Sequence, residues 1–228
     1  MMQNVHFTFQ LLGDPRQRRH IWRWLVSLRQ DYLFERRLPW LTFDALDFLN
    51  SLPLYRKKIF EYGSGGSTLF WLRKGAFCVS VEHDSSWYAR VRALLPKTSN
   101  LDYRLCKPEN IPQMIIRDPA DPNGYASAGL KEFDFRKYAC QIDEFDDGYF
   151  DIVLIDGRAR PSCIKHSYKK INAGGYLILD NADETYYTAK TSGYLKNFGL
   201  KQFYGAGPCG FSLWQTNIYT RNMVDGEV

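Results

Sequence analysis

The chain has 228 residues, 45% of them hydrophobic and 16% aromatic, enough to bury one sizeable core. No run reaches the ~18 uncharged apolar residues of a membrane-spanning helix. Thirty Lys and Arg against 25 Asp and Glu leave a net charge of +5, which permits an anionic partner but does not demand nucleic acid.

The first residues, MMQNVHFTFQLLGDPRQRR, lack a basic start followed by an apolar stretch and a small-residue cleavage site, so no signal peptide is expected. The cysteines (Cys78, Cys106, Cys140, Cys163 and Cys209) are scattered, odd in number and form no C-x-x-C pair. That pattern predicts reduced thiols in a cytoplasmic setting and argues against a zinc site.

Residues 1–13 read as a loosely held arm. Asp14-Pro15 predicts a helix start. Ile21, Leu25, Leu28 and Tyr32 recur at helical spacing, with Trp22, Val26 and Leu33 beside them. Arg16, Arg18, Arg19, Arg23 and Arg29 fill much of the remaining face, either as a solvated basic side or as a site for an acidic substrate, a partner or RNA. Leu38-Pro39-Trp40 breaks the pattern. Thr42 then caps a second helix, with Leu46, Leu49 and Leu52 on one face and Pro53 at its end. Residues 1–57 are thus expected to form a helical cap or arm, and 58–228 the main domain.

Ile59-Phe60 sits in a short apolar run that predicts a buried strand. Gly63, Gly65 and Gly66 follow, and Ser67 and Thr68 open a helix. Strand, glycine turn and helix make the first half of a nucleotide-binding βαβ unit. Thr68 stands where a dinucleotide fingerprint needs its third glycine, and no Lys follows the glycines as a P-loop requires. Glu61 at the strand's end would repel a pyrophosphate and attract a cationic ligand. Phe77 to Glu82 reads as the second strand, with Glu82 placed to accept hydrogen bonds from two sugar hydroxyls. His83 or Trp87 could flank a base or simply pack.

Leu101 to Leu105 predicts a third strand. Residues 107–134, with prolines at 108, 112, 119 and 122, read as an insertion, a loop or lid near the site. Phe135 to Phe145 predicts a short helix with Tyr138, Ile142 and Phe145 in line. Tyr149 to Gly157 is the clearest buried strand, and its end belongs at the crevice of a doubly wound sheet. Pro161 and Ser162 open the next helix, Gly174-Gly175 ends it, and Tyr176 to Asn181 is the fifth strand. A helix over Lys190 to Phe198 precedes a last pair of strands, Leu200–Tyr204 and Phe211–Gln215.

These residues carry a resemblance. Glu61-Tyr62-Gly63-Ser64-Gly65-Gly66-Ser67-Thr68 is similar to motif I (E-x-G-x-G-x-S/T) of the class I S-adenosylmethionine (SAM)-dependent methyltransferases. Val81-Glu82-His83-Asp84 with Trp87-Tyr88 resembles their second motif. The run F-D-x-V-x-x-D-G from Phe150 and G-G-Y-L-x-x-D-N from Gly174 resembles the same family, so the likeness covers Ile59 to Thr216. It implies an α/β fold: a doubly wound, Rossmann-like, seven-stranded, mostly parallel sheet with a C-terminal antiparallel hairpin, its N-terminal helices over the substrate side. It implies SAM as cofactor, held by Glu61, Gly63, Ser64, Gly65, Ser67, Thr68, Glu82, His83, Trp87 and Asp156.

The N/D-P-P-Y of amino-N-methylating members and the Pro-Cys of pyrimidine-carbon methylating members are both missing at Asp156-Gly157-Arg158-Ala159. By elimination an oxygen of a small-molecule acceptor is favoured, with carboxyl and small amine acceptors still open. Asp156, Asp180 and Asn181 offer hard oxygen ligands for Mg²⁺. They resemble the metal set of the catechol and caffeoyl-type O-methyltransferases, although that group carries a Lys where this chain has Arg158, Ala159 and Arg160. Without metal, Asp156 or Asp180 could serve as general base, or the acids could only cap and shape turns. Arg158 or Arg160 could pair with an acidic group on the acceptor, or with Glu82, Asp84 or an acid of the insertion. His166 reads as a surface or packing histidine. The rival readings are an RNA methyltransferase using the arginine-rich helix and a non-catalytic SAM- or partner-binding module. Oligomeric state is not legible.

Overall fold

The computed structural model describes residues 2–112 and 116–223, so positions 113–115 of the insertion lie outside the described residues. Seven strands form one sheet: β1 (Lys58–Tyr62), β2 (Phe77–Glu82), β3 (Leu101–Leu105), β4 (Phe150–Ile155), β5 (Ile171–Leu179), β6 (Phe198–Gly205) and β7 (Trp214–Arg221). Their order is β3-β2-β1-β4-β5-β7-β6. The first five run parallel, and β7 pairs antiparallel with both β5 and β6. The order reverses between β1 and β4, which opens a crevice beyond their carboxyl ends. Tyr62 pairs with Val81 on one side and Ile155 on the other. The next residues along, Gly63, Glu82 and Asp156, therefore stand at one level, Glu82 as the last residue of β2.

Alternation along β1 divides two cores. Phe60 and Tyr62 join Phe135, Tyr138 and Ile164 on one face. There α7 (Arg136–Ala139) and α8 (Arg160–Ser167) cover the sheet. Ile59 joins Leu46, Leu49, Phe70 and Trp71 on the other face, under α4 (Phe43–Ser51) and α5 (Gly66–Arg73).

The N-terminal expectation needs correction. The arm is a helix, α1 (Met2–Gly13), and its Phe7 and Leu11 are buried. Phe7 meets Trp24 edge-on at 5.2 Å. Fully burying such side chains is worth about 1.5–3 kcal/mol each. The expected single basic helix is broken. A 3₁₀ turn (Arg18–His20), α2 (Ile21–Ser27) and α3 (Tyr32–Arg36) replace it, with Asp31 at φ 57 before α3. Trp24 is the buried anchor, whereas Leu25 is exposed and Trp22 is 78% exposed. Phe7 and Leu11 of α1 and Trp24 of α2 share a core with Ile59, Ile152, Ile178 and Ile218 of the sheet.

Further along, α8 ends at Ser167, and Gly174-Gly175 lies inside β5, where the pairing to β4 shifts register. A Cβ on Gly175 would stand 2.8 Å from the Asp151 carbonyl, so the bulge needs glycine. The helix expected over 190–198 is two short pieces, α9 (Tyr186–Ala189) and a 3₁₀ turn (Ser192–Leu195). The last strand begins at Trp214 and runs to Arg221, later than its sequence signal. The insertion closes at its root through a short antiparallel ribbon, Glu109–Asn110 with Phe133–Asp134. Arg117 staples that root, donating to Asp134 Oδ2 at 2.6 Å. Tyr125 N donates to Ser162 Oγ of α8 at 3.2 Å, so this part of the insertion packs along α8.

Candidate active site

The β1–α5 turn is set by its glycines. Gly63 has φ +89, and a Cβ there would stand 2.8 Å from the Asp156 carbonyl oxygen. Side chains on the α5 side of the turn support it. Glu61 is fully buried and accepts hydrogen bonds from Thr68 Oγ1 and, at 3.0 Å, from Trp71 Nε1. Gly65 N donates to Thr68 Oγ1 at 3.1 Å. Burial pushes the Glu61 carboxyl above its ordinary value. Glu61 and Thr68 have no exposed surface and Ser67 is buried, so these three sequence-chosen residues shape the turn from behind. Alternation explains it: Glu61 points to the α5 layer, away from the strand end.

A crevice of about 600 Å³ opens above the turn. Gly63, Ser64, Glu82, His83, Asp84 and Trp87 form one wall, Asp156, Gly157, Arg158 and Arg160 another, and Asp180, Asn181 and Trp214 a third. Trp40 and Ser212 also border it. No described residue of the insertion lines the crevice.

Glu82 is 3% exposed yet strongly hydrogen-bonded. Its Oε1 accepts from His83 N (2.7 Å) and Asp84 N (2.9 Å), and its Oε2 from Ser64 N (3.1 Å) and Ser64 Oγ (2.9 Å). His83 Nδ1 lies 2.8 Å from Oε1. Burial works against the charge, but these donors outweigh it and hold the carboxyl below its ordinary value. A carboxylate offers about four lone-pair sites. A sugar would therefore displace Ser64, whose hydroxyl has an alternative partner in Tyr103 OH at 2.8 Å. Trp87 is pinned, its Nε1 donating to Ser64 O at 2.8 Å and its ring 5.6 Å from Phe34.

The opposite wall carries the second constellation. Arg160, in the first turn of α8, is 7% exposed and turned inward. Its Nε donates to Gly157 O (3.0 Å), its Nη2 to Asp156 Oδ1 (3.2 Å) and its Nη1 to Asp180 O. Asp180 Oδ1 accepts from Trp214 Nε1 (3.1 Å) and Thr216 Oγ1 (2.6 Å). Burial, reinforced by Asp180 and only partly offset by Arg160, pushes the Asp156 carboxyl well up toward neutrality. Burial also raises Asp180, against the pull of Arg160. The Asp156 side chain remains 27% exposed, facing the crevice. Ala159 (φ 47) and Asn181 (φ 48) hold left-handed backbone on either side, a strained arrangement that clusters at functional positions.

This geometry does not suit the Mg²⁺ set expected of Asp156, Asp180 and Asn181. The Arg160 guanidinium already bonds the Asp156 carboxylate and the Asp180 carbonyl, and a divalent cation bridging the two acids would face that fixed positive charge at close range. Arg158 and Arg160, read as equivalent from sequence, divide. Arg158 is exposed at the crevice, with no ion-pair partner among the described residues. Its expected pairing with Glu82 or Asp84 is not formed. Sequence reasoning missed the inward role of Arg160. The available signal was that positions two apart at a helix start do not share a face.

No family model and no curated protein matches the sequence. Among solved structures, the chain is similar to an O-methyltransferase from Bacillus cereus in complex with SAH, at 15% identity over 86% of this chain and 93% of that one, with a TM-score of 0.55. The chain shares that enzyme's fold. It is likewise similar to cofactor-bound Rv0187 from MTB, at 14% identity over 84% and 87% of the chains and a TM-score of 0.55. A spermidine synthase in complex with the transition-state analogue AdoDATO matches at 12% identity over 78% and 59%, with a TM-score of 0.51. At these identities the likeness establishes the fold, and the chemistry rests on the crevice.

Proposed function

We propose that the chain transfers a methyl group from SAM to an oxygen of a small anionic acceptor, without a metal ion. One observation carries the reading: the glycine turn, Glu82 and Asp156 meet at one level around a single crevice, at the point where strand order reverses. The residues fit this cofactor in kind. The turn presents Gly63 and Ser64 to the crevice, and a sulfonium suits the acidic walls. Gly63, Ser64 and Gly65 would hold its aminocarboxylate end, and Glu82 its ribose once Ser64 turns to Tyr103. When bound, SAM supplies an electrophilic methyl group.

The chain's own residues do the rest. Asp156, raised toward neutrality and open to the crevice, accepts the acceptor's hydroxyl proton. Arg160 stabilises the ionised acid and holds its position. Arg158 pairs with the acceptor's anionic group. Trp40 and Trp214 supply apolar wall that limits water. The RNA reading is weakened because Arg19 bonds both oxygens of Asp44 (2.7 and 2.8 Å) and Arg23 bonds Asp47 (2.7 Å), so part of the basic face is paired with α4.

The test is calorimetric titration with SAM and its demethylated product, followed by labelled-methyl transfer over a panel of hydroxy and phenolic acids with and without EDTA. Micromolar cofactor binding and EDTA-resistant transfer support the proposal. Binding without any turnover would leave the non-catalytic module. No binding of either nucleotide would remove the reading altogether.

A further inference from the structure

A second cluster of chemically active side chains lies outside the crevice. Cys140 opens the 3₁₀ turn Cys140–Ile142 that follows α7, Asp143 ends it, and His166 sits near the end of α8. His166 Nδ1 lies 2.8 Å from Asp143 Oδ2, and His166 Nε2 lies 3.8 Å from Cys140 Sγ. One donor atom from each residue falls within 4.8 Å of the other two. Tyr125 OH stands 3.1 Å from His166 Nε2. The His166 side chain is 13% exposed and that of Asp143 44% exposed, so the cluster is anchored on the inside and reachable from solvent.

We propose that Cys140, Asp143 and His166 bind one Zn²⁺. Thiolate, imidazole and carboxylate together form a donor set for this borderline-soft ion. Ligand atoms at about 2.0–2.3 Å around a tetrahedral zinc stand roughly 3.5 Å apart. Closing the cluster to that size needs a shift of about 1 Å, which the half-exposed Asp143 side chain can make. As the S–Zn bond forms, the Cys140 thiol gives its proton to solvent and His166 presents a neutral ring nitrogen. No electron changes hands. Three protein ligands leave a fourth position for water. The ion would clasp the turn after α7 to α8, the helix whose first turn carries Arg160.

The test uses the untagged full chain, stripped with EDTA, desalted and titrated with Co²⁺ and then Zn²⁺. The expected result is saturation at one equivalent, with tetrahedral d–d bands and a thiolate-to-cobalt charge-transfer band that Zn²⁺ abolishes. Cys140→Ser should lose the charge-transfer band, and Cys140→Ser and His166→Gln should each weaken Zn²⁺ by about tenfold or more. Cys209→Ser should change neither. Absence of stoichiometric binding, or variants that bind like the parent, would overturn the site and leave an Asp–His pair with a bystander thiol. If Cys140→Ser fails to fold, as judged by circular dichroism in EDTA, Asp143→Asn and His166→Gln decide by the same titration. Metal binding is read without methyl transfer, so this outcome is independent of the proposed reaction.

Discussion

The two acidic walls of the crevice carry the same chemical group under opposite rule. Glu82 is as inaccessible as Asp180, yet its carboxyl is held below its ordinary value because Ser64, His83 and Asp84 point donors at it. Across the crevice, Arg160 bonds one oxygen of the Asp156 carboxylate and the backbone carbonyl of Asp180, and burial pushes both carboxyls up. Burial alone therefore does not decide a carboxyl's charge. Four donors on its two oxygens hold Glu82 below its ordinary value, whereas two donors on Asp180 Oδ1 and one guanidinium on Asp156 Oδ1 do not offset burial.

The comparison breaks most severely at Arg160. Arg160→Met removes the only cation bonded to Asp156 and Asp180 among the described residues, and should cost about 3–5 kcal/mol of stability. Thermal unfolding should record a fall of roughly 10 °C. Next comes Glu82→Gln, which places an amide against backbone donors and removes the proposed ribose anchor. SAM affinity should fall about 100-fold, or about 3 kcal/mol, in calorimetric titration. A smaller loss in Glu82→Gln than in Asp156→Asn would reverse the assignment of the walls.

The sign of the pH dependence sharpens the contrast. Asp156 has a folded-state pKa raised above its unfolded value near 4, so the folded state binds more protons between those values. Its contribution makes folding less favourable as pH rises through that window. Glu82, depressed, contributes stability above its unfolded pKa that is lost in acid. Asp156→Asn should therefore gain in melting temperature relative to the parent as pH is taken from 5 to 9, and a flat difference would refute the raised carboxyl. Methyl transfer by the parent should rise with pH as Asp156 loses its proton. The smallest effect belongs to Arg158→Ala. KM for an anionic acceptor should rise roughly tenfold with SAM affinity unchanged, and an equal loss of both would place Arg158 on the cofactor instead.

The strand–glycine turn–helix at 58–73 and the buried run at 150–155 were both written in local pattern, because strands buried on both faces and a turn needing positive φ leave marks in adjacent residues. So did the acids at the strand ends, since parallel register delivers them to one level wherever the strands pair. What pattern could not carry was the direction and pairing of side chains. Residues 2–13 hold a helix because Phe7 meets Trp24, a partner supplied by the fold. Arg158 and Arg160 look alike in a string. Only the docking of α8 turns one to solvent and the other between Asp156 and Asp180. Likewise the absence of a C-x-x-C pair argued against zinc, whereas the packing of α8 on the turn after α7 gathers Cys140, Asp143 and His166. Sequence by itself determined the backbone's periodicity and the level at which the acids emerge. Tertiary structure decided which charges meet, because charge, unlike periodicity, takes its character from neighbours distant in the chain.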